Sequence, residues 1–214
     1  MDVKQRSNPP YKYRLIALKS IIRKIIGDVN ILYFRNLFPD KIEKEHFRKR
    51  KAFYGSFLKP GDLAFDVGAN FGNRVSPLLA VGAKVVAVEP QDFCARYLEK
   101  KFGRKITLIR KGLSDKEETR EIFLSNLHTV TSFNEDWIKK MKDGLFKDTG
   151  AEWREGGEIE MTTLDHLIKK HGVPSFIKID VEGFEFQVLN GLNQPVNLLC
   201  YEYQVPENID LAKK

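Results

Sequence analysis

Two acidic side chains in the first half of the chain stand where a nucleoside could be bound. Asp66 lies near the end of the apolar run 63–67, and a loop of small residues from Gly68 to Gly72 follows it. Glu89 ends the next apolar run, 23 residues later (89 − 66). Glycines lack a Cβ and let a backbone approach a ligand, and an acid at the end of a second strand can accept hydrogen bonds from both hydroxyls of a ribose. This pattern predicts half of a nucleoside-binding α/β domain.

The spacing of the glycines indicates which nucleoside would bind. Dinucleotide-binding turns have the order G-x-G-x-x-G, whereas this chain has Asp66-x-Gly68-x-Asn70-x-Gly72. A carboxylate two residues before the first glycine would repel a pyrophosphate but suits the ammonium and sulfonium of S-adenosylmethionine. The alternative is a strand-to-helix turn that needs small residues only for packing. Glu89 at the ribose position favours the cofactor.

A second block of residues, at 176–191, indicates the class of protein. Residues 176–185 read F-I-K-I-D-V-E-G-F-E, and V-L-N-G follows at 188–191. Together with D-V-G-A-N-F-G at 66–72, this block resembles the FkbM-type family of S-adenosylmethionine-dependent methyltransferases. The resemblance spans about 53–204 and includes three intermediate elements, at 87–90, 112–114 and 163–165. It implies an α/β fold of the Rossmann-like class I methyltransferase type.

The resemblance also assigns a cofactor site. It implies that S-adenosyl-L-methionine is held through its methionine portion by the first motif, through its ribose by Glu89, and through its adenine near Leu113 and Ser114. The motif residues concerned are Asp66, Gly68, Asn70 and Gly72. Taken singly, each has a plainer explanation: Glu89 could be a solvated acid at a strand end, and Ser114 could belong to an ordinary turn.

Three side chains are candidates for catalysis. Asp180 and Glu182 follow the apolar run 176–179, which should lie beside the first strand. We expect Asp180 to orient the methyl acceptor or take its proton, with Glu182 beside it; the alternative is that both cap a helix beginning there. His128, in a polar loop, is a candidate general base or simply a solvated histidine. No spacing of His, Asp and Glu completes a metal site, so no metal is predicted.

Lys178 is unusual because it interrupts an apolar strand. A cation inside a central strand should be buried and needs a partner. Asp66, on the neighbouring strand of the expected sheet, is the predicted partner.

One motif near the start of the chain is misleading. Asn8-Pro9-Pro10-Tyr11 matches the N-P-P-Y motif of amino-methyltransferases that act on adenine, cytosine or glutamine, where it follows an apolar strand. The residues before it here, 1–7, are polar and too few for that strand. The corresponding position is already filled by the D-V-E-G of 180–183. We interpret the match as chance, which disfavours methylation of nucleic acid.

The order of elements supports this fold class. Apolar runs alternate with helical patterns, which predicts a central, mostly parallel sheet with helices on both faces. Residues 119–162 break the alternation and predict an insertion beside the carboxyl ends of the strands, where ligands bind. This insertion is either part of the acceptor-binding wall or an inert connection. The predicted strands are 63–67, 84–88, 106–110, 176–179 and 198–203.

The end of the chain predicts an incomplete sheet. Eleven residues follow Tyr203, whereas the methyltransferase fold normally adds a C-terminal hairpin of two strands after its fifth. We therefore expect this hairpin to be missing and the apolar strand 198–201 to have one unpaired edge, which favours association. A homodimer is one way to cover it.

Charge divides the chain into two parts. Residues 1–58 hold 14 Lys and Arg against 5 Asp and Glu, whereas residues 59–214 hold 22 against 24. The second part, the predicted methyltransferase domain, is close to neutral, which argues against a nucleic-acid partner. The first part is a basic extension in which 13–34 has helical apolar periodicity. That helix either lies on an anionic membrane or packs on the domain or a second subunit.

The cysteine content of the chain predicts a cytoplasmic location. Its two cysteines, Cys94 and Cys200, give neither a disulfide framework nor a metal spacing, and no secretory segment is apparent. The predicted function is O-methylation of a hydroxyl on a sugar, glycan or small natural product, and the preference for a hydroxyl comes from the resemblance alone. The alternatives are N-methylation of a small molecule or protein, and a non-catalytic cofactor-binding scaffold.

Overall fold

The computed structural model describes residues 27–202, which belong to two compact units divided after Asp40. The first unit contains helix α1 (Asp28–Arg35). The N-P-P-Y match and most of the predicted basic helix 13–34 lie outside the described residues. The second unit contains helix α2 (Lys41–Gly55) together with the sheet. Among residues 27–202, no helix combines the length and the apolar character that crossing a membrane requires.

Five strands form the predicted parallel sheet. Their spatial order is β3-β2-β1-β7-β8, and every neighbouring pair is parallel. The order reverses at β1, so the carboxyl ends of β1 and β7 open a crevice of the kind in which α/β sheets bind ligands. Within the described residues β8 is an edge strand. The strands are β1 (Leu63–Val67), β2 (Lys84–Val88), β3 (Ile106–Ile109), β7 (Phe176–Ile179) and β8 (Leu199–Tyr201).

Helices cover both faces of this sheet, as predicted. Alternate strand residues point to opposite faces, and both faces are apolar. Phe65 and Ile177 pack on the side of helices α6 and α7, whereas Ala64 and Phe176 pack on the side of helices α2, α3 and α4. The bounds of these helices are α3 (Val75–Ala80), α4 (Asp92–Phe102), α6 (Leu164–His171) and α7 (Glu185–Asn190).

The predicted insertion forms a second sheet. Its order is β4-β6-β5, with β4 (Gly112–Leu113) parallel and β5 (Thr119–Ser125) antiparallel to β6 (Trp153–Thr162). Helix α5 (Glu135–Asp143) lies between β5 and β6 in sequence. The long strand β6 contains two adjacent glycines, which weaken its strand pattern in the sequence. They lie at a register shift between β5 and β6, and a Cβ on Gly156 would lie 2.5 Å from the side chain of Leu124, so the glycine allows the two strands to approach closely there.

Candidate functional site

A cavity of about 240 Å³ opens at the carboxyl ends of β1, β2 and β7. The insertion supplies one wall through residues of the 122–133 segment. Six of the side chains and backbone positions proposed from the sequence line this one cavity: Gly68, Asn70, Glu89, His128, Asp180 and Glu182.

Gly68 allows the loops after β1 and β7 to touch. Its φ is +77°, and a Cβ built on it would lie 1.9 Å from the carbonyl oxygen of Asp180. Only glycine fits such an approach. The sequence interpretation gave this glycine the task of admitting a ligand. The structure shows that its first task is to admit the neighbouring backbone, which brings Asp180 against the predicted cofactor loop.

Glu89 is the best-defined member of the site. It is 2% exposed, and its two carboxylate oxygens accept hydrogen bonds from the backbone N–H groups of Asn70 (2.7 Å) and Gln91 (2.9 Å). Burial raises the pKa of Glu89 to about 7, although those two N–H donors act in the opposite direction. Each carboxylate oxygen can accept a second bond. Glu89 can therefore hold the cofactor loop and still accept from the hydroxyls of a ribose.

The insertion is attached to the Glu89 end of the cavity through the backbone of His128. The carbonyl of His128 accepts from the side-chain amides of Asn70 and Gln91, each at 3.1 Å. Its ring stacks on Phe93 with centroids 4.7 Å apart, and burial lowers the pKa of this imidazole. His128 therefore lies with the predicted ribose-binding residues, where its ring forms a wall.

The same insertion is also attached to the loop after β7. The hydroxyl of Ser132 donates to the carbonyl of Glu182 at 2.6 Å, and the side-chain amide of Asn134 donates to the carbonyl of Gly183 at 2.7 Å. Hydrogen bonds at both ends thus hold this segment across the cavity, between the predicted cofactor residues and the predicted catalytic residues.

Three carboxyl groups meet at the β7 end of the cavity. One oxygen from each of Asp180, Glu182 and Glu202 lies within 4.8 Å of the others. Lys178 donates to Asp180 at 2.6 Å. Sequence spacing alone could not show this cluster, because Glu202 comes from the end of β8.

Asp180 is the ionised member of this cluster. Burial would raise its pKa, but Lys178 and a hydrogen bond from Glu202 outweigh burial and hold the pKa below its usual value. The pKa of Glu202 rises to about 7, first because it shares that bond with Asp180 and then because of burial. Burial and the neighbouring acids raise the pKa of Glu182 to about 8. Near neutral pH Asp180 is therefore ionised, Glu182 is largely protonated and Glu202 is partly protonated.

Neither Asp180 nor Glu182 caps a helix, contrary to the alternative considered from the sequence. Helix α7 begins at Glu185, and the carboxylate of Glu185 accepts from the backbone N–H groups of Val181 (2.9 Å) and Gly183 (3.0 Å). Glu182 lies in the loop with a φ of +53°, an uncommon value for a residue with a side chain. The Glu185 carboxylate thus holds the loop that precedes the helix, whereas Asp180 and Glu182 line the cavity.

Asp66 lies behind the cavity and does not line it. It has no exposed surface, and within residues 27–202 neither of its oxygens has a hydrogen-bond partner. Lys178, its register partner on β7, has its Nζ 4.0 Å from Asp66. The predicted pair therefore exists, but Lys178 makes its shorter contact with Asp180. Burial raises the pKa of Asp66 to about 6, and Lys178 opposes that rise.

Three further predicted cofactor residues, Gly72, Leu113 and Ser114, also lie outside the cavity. A Cβ on Gly72 would lie 2.4 Å from the ring of Phe102, so this glycine allows α4 to pack closely. Leu113 is part of the apolar core on the α6 side, and Ser114 is fully buried. These positions hold the framework of the site, and an adenine contact at Leu113 or Ser114 stays a prediction.

The sequence interpretation missed three charged residues at the cavity: Arg50, Arg74 and Glu202. Glu202 follows an apolar strand, the same signal that identified Asp66 and Glu89. Arg74 stands two residues after the last motif glycine. Arg50 lies among many charges on α2, and nothing in the sequence distinguishes it from them.

A second cavity of about 410 Å³ adjoins the first on the α2 side of the sheet. It has aromatic walls that include Phe53, Tyr54 and Phe176. It contains none of the motif residues from 66–72 and does not contain Glu89. Five residues line both cavities and mark their junction: Arg50, Arg74, Lys178, Asp180 and Glu202.

Comparison with known proteins agrees with this arrangement. The family model described as the methyltransferase FkbM domain matches residues 66–205, which include both motif loops and all strands of the parallel sheet after β1. None of the curated proteins matches the chain.

Solved structures resemble the chain only weakly. A 1,6-didemethyltoxoflavin-N1-methyltransferase of Burkholderia thailandensis, solved with S-adenosylhomocysteine, is 14% identical over 78% of this chain and 79% of its own, with a TM-score of 0.26. YjhP of E. coli is 12% identical (TM-score 0.26; 32% of this chain, 33% of its own). A possible exported protein of Bordetella parapertussis is 24% identical (TM-score 0.25; 36% of this chain, 28% of its own). The chain thus spans about a third of the last two proteins, and at these scores none of the three bears on its chemistry.

Proposed function

The chain belongs to the FkbM family of S-adenosylmethionine-dependent methyltransferases, and from that premise we propose that it methylates a hydroxyl group of a sugar, glycan or other small molecule. One observation carries the proposal. A carboxyl cluster that can accept a proton lies at the junction of a cavity suited to the cofactor and a second cavity open to an acceptor.

The residues of the first cavity fit S-adenosylmethionine. Glu89 retains acceptor capacity for the ribose hydroxyls, and the loop from Gly68 to Asn70 borders the same space. When bound, the cofactor supplies an electrophilic methyl group on a sulfonium. The ionised carboxylates of Asp180 and Asp66 lie at this end of the sheet and attract such a cation.

The carboxyl cluster provides what a hydroxyl acceptor needs. A hydroxyl must lose its proton as its oxygen becomes bonded to carbon, and a positioned base contributes about 10²–10⁴-fold to such a step. Asp180 can accept the hydrogen bond of the acceptor hydroxyl and so orient its oxygen. The ionised carboxylate of Asp180 then takes the proton, and Glu202, which shares a hydrogen bond with Asp180 and has a pKa of about 7, passes a proton on to water. Glu182, with a pKa of about 8, stays largely protonated beside them.

Replacement of Asp180 tests the proposal. The full chain is assayed with labelled S-adenosylmethionine against a panel of sugars, glycans and phenolic or aliphatic alcohols, and the product is examined by NMR for an O-methyl signal. We expect Asp180→Asn to bind S-adenosylhomocysteine about as tightly as wild type while turnover falls about 10²-fold or more. Glu158→Gln, on the exposed part of β6, is the matched control and should retain both properties.

Three outcomes would contradict the proposal. Wild-type turnover in Asp180→Asn would remove that residue from the mechanism. Methyl groups found on nitrogen would identify an N-methyltransferase. Tight cofactor binding with no transfer to any hydroxyl of the panel would favour the non-catalytic scaffold.

A further inference from the structure

Two arginines meet where the two cavities join. Arg50 comes from α2, and Arg74 from the turn before α3; both are partly buried and line both cavities. The guanidiniums are close enough to interact: burial and then the charge of Arg74 lower the pKa of Arg50. No hydrogen bond or ion pair joins either guanidinium to a residue of the 27–202 segment. Two like charges held together in a cavity indicate an anionic ligand between them.

The nearby acids neutralise this pair only in part. Asp180 is already bonded to Lys178 at 2.6 Å, and it shares a hydrogen bond with Glu202. That shared bond keeps Glu202 partly protonated near neutral pH. Lys178, Arg50 and Arg74 together face the ionised carboxylates of Asp180 and Asp66, so the junction keeps a surplus of positive charge.

The second cavity continues from the arginines along aromatic side chains. Tyr54 and Phe176 are buried with ring centroids 5.5 Å apart, and the ring of Phe53 lies 5.5 Å from that of Tyr54. Phe53 stands at the rim and is 57% exposed. Such a surface suits the apolar face of a planar or sugar ring. The volume of about 410 Å³ admits a single ring with substituents.

We propose that the second cavity is the acceptor site and that it takes a ring-bearing oxyanion, with Arg50 and Arg74 binding a carboxylate or phosphate of the acceptor. This inference rests on the proposed function, because the same junction presents Asp180 to the hydroxyl. An anion fixed by two guanidiniums and a ring seated on Phe53 would orient the acceptor relative to Asp180. Neutral sugars and neutral phenols would then be poor acceptors.

Binding of a small aromatic phosphate tests this inference without knowledge of the natural acceptor. Phenyl phosphate, inorganic phosphate and neutral phenol are titrated by calorimetry into the full chain saturated with S-adenosylhomocysteine, and again into the chain alone. We expect phenyl phosphate to bind more tightly than either of its two parts. Arg50→Gln and Arg74→Gln should each weaken it about tenfold or more. Arg104→Gln, an exposed arginine before β3 at the opposite end of the sheet, should leave its affinity unchanged.

The cofactor also has a carboxylate, so each variant is titrated with S-adenosylhomocysteine and with 5′-methylthioadenosine, which lacks the amino-acid portion. If the arginine variants lose affinity for the first but not the second, the pair binds the cofactor, and the acceptor assignment is overturned. Equal phenyl phosphate binding by wild type and both variants, or no binding by wild type, would also overturn it. Far-UV circular dichroism and thermal unfolding establish that each variant is folded. If S-adenosylhomocysteine fails to bind wild type, the proposed function fails, whereas phosphate binding to the chain alone still tests the arginine pair.

Discussion

Substitution of Gly68 by alanine should damage both the fold and the site, because this position fixes how closely the loops after β1 and β7 approach. The new Cβ would lie 1.9 Å from the carbonyl oxygen of Asp180, so the two backbones must separate by at least about 1.1 Å to restore a 3.0 Å contact. A left-handed φ costs an alanine about 1–2 kcal/mol. Forcing open a packed contact adds about 1–3 kcal/mol. We expect the free energy of unfolding to fall by about 2–5 kcal/mol in total.

Gly150 supplies a matched control for this substitution. Its φ is +71°, close to the +77° of Gly68, but a Cβ at Gly150 would have no atom within 4 Å. Gly150→Ala should therefore show only the backbone cost of about 1–2 kcal/mol. Urea unfolding of both variants distinguishes that backbone cost from the cost of separating the loops after β1 and β7.

Catalysis should respond to the same displacement. A shift of about 1 Å between reacting groups can lower turnover about 10²-fold, so Gly68→Ala is expected to lose turnover to that extent while Gly150→Ala keeps it. Equal stability of the two variants, together with wild-type turnover in Gly68→Ala, would refute the close approach of the loops as the basis of the site.

Three further predictions concern the buried charges. Glu89→Gln should weaken S-adenosylhomocysteine binding about tenfold or more by calorimetry, since it removes a charged acceptor. Unchanged affinity would show that Glu89 does not bind the ribose. In wild type that affinity should increase as pH rises through about 7, where Glu89 ionises; a flat profile would contradict this. Burial raises the pKa of Glu89 to about 7 and of Asp66 to about 6. These two carboxyl groups therefore contribute to the free energy of unfolding in full below their unfolded pKa values, and that contribution is lost as pH rises through 6 to 7. Urea unfolding of the ligand-free chain should therefore show a smaller fall in stability between pH 5 and pH 8 in Glu89→Gln than in wild type, and an equal fall would contradict the assignment.

The parallel sheet could be predicted because its strands are short apolar runs bounded by turn residues. β1, β2 and β7 begin and end where the sequence placed them, at 63–67, 84–88 and 176–179. The second sheet could be predicted only in part. Strand β6 contains two adjacent glycines, which local propensity assigns to a loop, and they fall at a register shift between β5 and β6, while the residues on either side of them pair with β5.

The candidate site, like the fold, could be predicted only in part from the sequence. Asn70, Glu89 and Asp180 could be identified because each follows a strand whose end points to the crevice. Their neighbours Arg50 and Glu202 come from distant elements, and only tertiary packing brings them to the junction. The alternative in which Asp180 caps a helix arose because an acid followed by a small-residue loop resembles a helix cap. In the structure α7 begins only at Glu185, and Asp180 lines the cavity.

The central claim is that the crevice between β1, β2 and β7 binds S-adenosylmethionine through Glu89. Calorimetric titration of the full chain with S-adenosylhomocysteine, with NAD as the competing dinucleotide, tests it most directly. We predict saturable binding of one S-adenosylhomocysteine per chain, clearly weakened in Glu89→Gln, and no saturable binding of NAD. A folded chain that binds neither compound, or that binds both equally well with or without the Glu89 carboxylate, would contradict the account.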